Sequence, residues 1–216
     1  MSDVRSQMSE LTRSPFERDF GPLREQLPRA FVDQYLFSPD ERVVLKGSME
    51  RVWRRGRWLW PFFWLATWPE LLFPETGVDV PVTVDIRAVK AGHLWRRDFR
   101  FPGGRHRRFT SQIEYDERLG RVIEAVGSNK ALAIAWDIRF EPPSTLHLDC
   151  AGWVLRLGWL RIRLPEWLLG SGWGVETADL SSPGRIRIDF ATSHPLLGDV
   201  FGYTGSFRVH RKSPDS

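Results

Sequence analysis

The chain has one cysteine, three tyrosines and no long uninterrupted apolar run, and each scarcity excludes a class of protein. A lone cysteine, Cys150, cannot form an internal disulfide, which fits a reducing compartment. The most apolar stretch, residues 58–73, contains two prolines and is too short and too broken for a transmembrane helix. The first twenty residues lack the apolar segment of a secretory signal. We therefore expect a cytoplasmic protein, with peripheral membrane contact as the one variation.

Motifs for nucleotides, metals and nucleic acids are also missing. The sequence contains no Gly-x-Gly-x-x-Gly or Walker loop, and its five histidines show neither His-x-His nor His-Glu-x-x-His spacing. We therefore predict no cofactor and no metal site. The net charge of +4 comes from basic residues spread along the chain, so nucleic acid is not a predicted partner.

Large aromatic rings are abundant instead, with eleven tryptophans and fourteen phenylalanines. Such rings can fill a core, line a cavity for an apolar ligand, or face a membrane interface. Apolar and charged residues alternate along nine or ten segments, which is the pattern of half-buried β-strands. A flat sheet that wide would leave its apolar face uncovered. The sequence therefore predicts a mainly β fold, an antiparallel meander of about nine or ten strands closed into a barrel or a strongly curled half-barrel.

The domain organisation follows from where this alternation begins and ends. Residues 1–13 and 212–216 are predicted tails, and residues 14–211 form one β-barrel-like domain. Residues 14–37 have a helix-start signal at Ser14-Pro15 and are predicted to form a helical cap. The run from Trp58 to Phe73 is predicted to be an apolar helical insertion. It either plugs the barrel mouth or lies in a membrane interface.

Three consecutive strands between residues 93 and 127 carry three polar side chains on their apolar face. These residues are Arg97, Ser111 and Glu124. If residues 103–105 and 116–119 form the two hairpin loops, Arg97 lies directly opposite Ser111, and Ser111 opposite Glu124. The register predicts one polar row across an apolar face.

A buried arginine needs a partner, so two interpretations of this row remain. The first is a structural ion pair that fixes register. The second is a polar anchor in an apolar cavity, where Arg97 binds a ligand oxygen and Glu124 orients the arginine or moves a proton. The predicted ligand-binding residues are Arg97, Ser111, Glu124, Trp95, Phe99, Phe109, Trp136 and, if the barrel closes, Tyr203.

Three functions are compatible with these residues. The first is binding of an apolar small molecule or lipid in the barrel. The second is an isomerase or cyclase in which Glu124, the candidate catalytic residue, acts as acid or base. The third is a peripheral membrane or partner-docking module that uses residues 58–73.

Several short motifs in this order resemble a bacterial family known as domain of unknown function 4166. The motifs are Val80-Pro81-Val82-Thr83-Val84, Trp95-x-Arg97-x-Phe99, Phe109-x-Ser111, Glu124, Leu164-Pro165, Asp189-Phe190, Pro195-Leu196-Leu197-Gly198 and Tyr203-x-Gly205. The resemblance spans residues 20–209. It implies no catalytic residues. Relatives of that kind joined to oxidoreductase-like or small membrane proteins imply lipid or small-metabolite chemistry.

Overall fold

The computed structural model describes residues 14–56, 61, 64, 73–90 and 92–212, and this part of the chain is mainly β. It contains three short α-helices, α1 (Glu17–Phe20), α2 (Arg29–Tyr35) and α3 (Glu166–Leu169). The strands are β1 (Arg42–Arg54), β2 (Gly77–Val89), β3 (Gly92–Phe101), β4 (Arg105–Asp116), β5 (Arg121–Val126), β6 (Leu132–Glu141), β7 (Thr145–Leu157), β8 (Leu160–Leu164), β9 (Ser171–Ala178), β10 (Arg185–His194) and β11 (Gly198–Lys212).

Ten of these strands close into an antiparallel barrel. The order is β6-β5-β4-β3-β2-β1-β11-β10-β9-β7, and the additional pairing of β6 with β7 joins the two ends. β7 pairs with β6 along one edge, while its other edge pairs first with β9 and then with β8. β8 is the one strand outside the barrel among the described residues. The prediction of a closed antiparallel barrel is confirmed.

The barrel interior is built by the predicted alternation. On β2, for example, Val80, Val82, Val84 and Ile86 are buried inside. The chain between them points outward, so one face of each strand supplies the core and the other meets solvent. The two barrel ends differ. The cap end carries α1 and α2, and the distal end carries the β3–β4 and β7–β8 turns.

The N-terminal helices close the cap end with aromatic side chains. Phe31 meets Phe140 edge to face at 6.5 Å, and Tyr35 lies 6.0 Å from Trp95 between ring centroids. The predictions for residues 1–13, 58–73 and 212–216 lie outside the described residues, apart from Pro61, Trp64, Phe73 and Lys212. No helix in the described ranges is long and apolar enough to cross a membrane.

The predicted register of the β3–β4 and β4–β5 hairpins is wrong by one residue in the position of each loop. The loops are residues 102–104 and 117–120, so Arg97 lies opposite Phe109, and Ser111 lies opposite Val126. Each loop ends on a glycine with left-handed φ, +76° at Gly104 and +64° at Gly120. Glycine adopts that conformation without a Cβ clash, which places the loop ends at the glycines and not one residue away.

Candidate functional site

Arg97 is held inside the barrel wall by side chains from both neighbouring strands. Its Nη1 donates to Ser111 Oγ at 2.8 Å, and its Nη2 donates to Glu124 Oε1 at 3.1 Å. The guanidinium carbon lies 5.0 Å from the ring centroids of both Trp95 and Phe109. The cation is therefore compensated by one carboxylate, one hydroxyl and two aromatic faces.

Glu124 is committed to structural hydrogen bonds through both of its oxygens. Oε1 accepts from Arg97, and Oε2 accepts from the Trp136 indole nitrogen at 3.1 Å. The side chains of Arg97 and Glu124 are only 13% and 10% exposed. The structural interpretation of the polar row is thus satisfied by its geometry, because both charges have partners.

The polar row survives the change of register because the period of a strand is two. A loop displaced by one residue moves the facing partner by two positions, which leaves each side chain on the same face of the sheet. Arg97, Ser111 and Glu124 consequently meet as diagonal neighbours instead of directly opposed ones. The long side chains of Arg97 and Glu124 bridge that diagonal spacing.

Beside this row the barrel encloses a cavity of about 90 Å³. Five of the eight predicted ligand residues line it, namely Arg97, Glu124, Trp95, Trp136 and Tyr203. Ser111, Phe99 and Phe109 do not. Ser111 sits behind the arginine and reaches the cavity only through it. The remaining lining is largely aliphatic and aromatic, and it includes Phe16 and Tyr35 from the cap.

A second polar group, which the sequence did not reveal as a site, lines the same cavity. Glu176 on β9 is 5% exposed, and its Oε2 accepts from the Tyr35 hydroxyl at 2.8 Å and from Gln34 Nε2 at 3.2 Å. Gln34 and Tyr35 belong to α2, so these bonds tie the cap to the barrel interior. The cavity therefore lies between two polar groups, one from the hairpins and one from the cap and β9.

Burial dominates the ionisation of this second group. Burial raises the pKa of Glu176 from 4.5 to about 7, although hydrogen bonds from Tyr35 and Gln34 and the charge of Arg97 act in the opposite direction. Burial and the neighbouring Glu176 charge raise the pKa of Tyr35 well above its ordinary value. Burial also raises the pKa of Tyr203. Glu176 is the group here whose proton is exchangeable near neutral pH.

Two buried polar atoms on residues that line the cavity have no hydrogen-bond partner in the described part of the protein. They are the indole nitrogen Nε1 of Trp95 and the amide oxygen Oε1 of Gln34. Buried polar groups are normally paired, because an unmade bond costs about 1–3 kcal/mol. One free donor and one free acceptor are thus available to a molecule in the cavity.

Within the described ranges, no group of three or more histidine, cysteine or acidic side chains is arranged to hold a metal ion. The cavity chemistry is therefore that of one arginine, two carboxyl groups, phenols and indoles.

The sequence analysis missed Glu176 because it missed β9. The inward positions of that strand are Gly172, Gly174, Glu176 and Ala178, so no apolar alternation marks it. The available signal was a glutamate in phase with glycines and an alanine, a set of small residues typical of a crowded interior position.

A family model described as "Domain of unknown function (DUF4166)" matches residues 27–207. Because this match covers most of the chain, the protein belongs to that family, as its motifs indicated. No curated protein and no solved structure matches the chain.

Proposed function

We propose that the barrel binds a small, mostly apolar, uncharged molecule in its interior cavity. The observation that carries this proposal is the pair of unpartnered buried atoms, Trp95 Nε1 and Gln34 Oε1, on residues that line an otherwise apolar space. A ligand with a carbonyl or hydroxyl oxygen supplies the acceptor that the indole lacks. A ligand hydroxyl hydrogen supplies the donor that the amide oxygen lacks.

The charges around the cavity favour a neutral ligand over a free carboxylate. Arg97 already pairs with Glu124, so its charge is compensated before any ligand arrives. An incoming anion would also meet Glu176, which is partly ionised near neutral pH because its pKa is about 7. Burying a further negative charge beside a carboxylate is costly. Arg97 therefore acts as a polar contact for a ligand oxygen rather than as a counter-ion.

The volume sets the size of this ligand. A cavity of about 90 Å³ has room for roughly six to nine water-sized groups. An acyl chain of membrane-lipid length needs more space than that. Because Phe16 and Tyr35 of the cap line the cavity, a lipid could enter only after the cap moves away from the barrel.

Phenol and benzene are suitable probes, because they share a ring and differ by one hydroxyl group. We expect phenol to bind about three to ten times more tightly, which is the gain of about one buried hydrogen bond. Titration followed by the Trp95 indole N–H signal in a nitrogen-15 NMR spectrum measures both affinities. Trp95→Phe should remove most of the preference, whereas Trp173→Phe, at an exposed indole, should preserve it.

Equal affinities for the two probes would contradict the proposed polar recognition. Absence of any shift in the cavity-lining tryptophans with either probe would contradict binding itself.

Glu176 favours a second candidate function, acid–base chemistry on a small carbonyl compound. Its pKa of about 7 suits a group that both accepts and donates a proton near neutral pH, whereas both Glu124 oxygens are occupied by Arg97 and Trp136. In this reaction Glu176 takes a proton from the carbon next to the carbonyl, and the electron pair moves to the carbonyl oxygen, which accepts from Trp95. This function predicts Glu176-dependent deuterium exchange into a small ketone.

A further inference from the structure

Exposed large apolar side chains are concentrated at the distal end of the barrel. The β7–β8 turn places Trp159 at 90% exposure, and α3 places Trp167 at 65%. Together with their exposed apolar neighbours they form a surface that we call the distal patch, made of Leu157, Trp159, Leu160, Ile162, Trp167 and Leu168. At the cap end, Leu180 is the one comparable exposed side chain among the described residues. Apolar surface gathered in this way marks an interaction site.

The patch is formed by a two-stranded ribbon that leaves the barrel. β8 pairs with the last residues of β7, which places Leu157 opposite Leu160 and Leu155 opposite Ile162. Directly opposed residues share a face, so this face of the ribbon is apolar. The other face carries Arg156 opposite Arg161. The ribbon is therefore amphipathic, with Trp159 at its tip.

The basic face of the ribbon anchors it to the barrel wall. Arg156 pairs with Glu114, and Arg161 pairs with Asp116, both on β4. These ion pairs hold the basic face against the barrel and leave the apolar face outward. The exposure of the patch is therefore built into the fold and does not depend on the ribbon swinging freely.

Cations surround the patch without carboxylate partners. Four exposed basic residues of the distal end form no ion pair with any carboxylate in the described ranges, namely Arg55, Arg105, Lys130 and Arg163. The exposed acidic residues there are Glu166 and Asp199. A surface that combines apolar side chains, tryptophans and an excess of free cations complements an anionic lipid interface.

A second copy of the chain is a poorer occupant of the free edge of β8. Antiparallel pairing of β8 with itself, centred on Ile162, places Arg161 opposite Arg163 of the other copy, twice. Like charges directly opposite each other destabilise a strand pair. Shifting the register by one residue sets apolar side chains against arginines. The alternating arginines therefore protect this edge from self-pairing.

We propose that the distal end docks on an anionic membrane surface through the distal patch. The two tryptophans lie at headgroup depth, the leucines and isoleucine of the ribbon enter the acyl boundary, and Arg163 meets lipid phosphate. This site is separate from residues 58–73, and it does not depend on ligand binding in the cavity.

The test is co-sedimentation of the full chain with vesicles of phosphatidylcholine alone and of a three-to-one mixture of phosphatidylcholine and phosphatidylglycerol, at low and high salt. We expect binding to the anionic vesicles that weakens with salt. Replacing both Trp159 and Trp167 by Ser should lower the partition coefficient by about tenfold or more. Arg163→Glu changes the charge by two, so it should cost about thirtyfold on anionic vesicles at low salt and little on neutral ones.

Leu180→Ser is the matched control, because Leu180 is exposed and apolar but lies at the cap end; its partitioning should equal that of the wild type. All three sites are exposed, and circular dichroism verifies that each variant remains folded. Failure of the wild type to bind anionic vesicles would overturn the proposal. So would binding that is indifferent to Trp159 and Trp167. Concentration-dependent self-association that disappears in the tryptophan variant, with no vesicle binding, would identify a second copy as the occupant instead.

Discussion

Replacing Glu176 by glutamine should reveal a pH dependence of stability that the wild-type chain conceals. Burial raises the pKa of Glu176 from 4.5 to about 7, so the folded state holds this proton more tightly than the unfolded state. Its contribution is fully present below pH 4.5 and is lost as pH rises through 7. Burial lowers the pKa of His93 from 6.5 to about 3. That contribution has the opposite sign: it is fully present above pH 6.5 and is lost as pH falls.

The two effects overlap between pH 4.5 and 6.5. In that window each group changes the free energy of unfolding by about 1.4 kcal/mol per pH unit, or about 3 kcal/mol in all. Because the signs are opposite, the wild type should vary by less than about 1 kcal/mol. Glu176→Gln removes the falling component, so stability should then rise by about 3 kcal/mol from pH 4.5 to 6.5. The glutamine oxygen still accepts from the Tyr35 hydroxyl, which keeps the cap in place.

Urea unfolding followed by circular dichroism at several pH values gives these free energies. His93→Phe is the reciprocal variant, since a phenyl ring preserves the stacking on Phe37 at 4.3 Å. Its stability should fall by about 3 kcal/mol over the same window. Glu117→Gln, at a side chain that is 67% exposed, should keep the wild-type profile. A Glu176→Gln profile as flat as that of the wild type would refute the assignment of a buried, protonated Glu176.

Two further measurements concern the cavity. Arg97→Met or Glu124→Leu alone should each cost about 3–5 kcal/mol in urea unfolding, since each leaves a buried charge unpaired, and the double variant should be more stable than either; costs that simply add would contradict the buried pair. Cyclohexanone in deuterium oxide should exchange its α-protons about a hundredfold faster with the protein than with buffer. Glu176→Gln should abolish this exchange while Glu124→Gln retains it, and equal rates in all samples would exclude the acid–base function.

The sequence predicted the barrel wall well because its information is local. A strand such as β2 shows its inward valines at every second position, so its two faces follow from period two alone. The same period protected the inference about Arg97, Ser111 and Glu124 from an error in both hairpin loops. Their proximity depended on which face each residue occupies, and a two-residue shift does not change a face.

The other half of the site could not be predicted in this way. Glu176 lies on a strand whose inward neighbours are glycines, and its partners Gln34 and Tyr35 lie about 140 residues earlier in the chain. Their meeting depends on how the cap docks and on the pairing of β9 with β7 and β10. No local pattern encodes those contacts.

The position of Glu176 links closure of the cavity to its chemistry. Tyr35 closes the cap end through its contact with Trp95 and donates to Glu176 inside. A ligand that enters at the cap end must therefore break the bond between Tyr35 and Glu176 and form it again on closure. Breaking it leaves the buried carboxyl without its best donor, which further favours the protonated form. The residues that exclude solvent from the cavity are thus also those that set the proton affinity of its titratable group, so ligand entry and proton uptake at Glu176 are thermodynamically coupled.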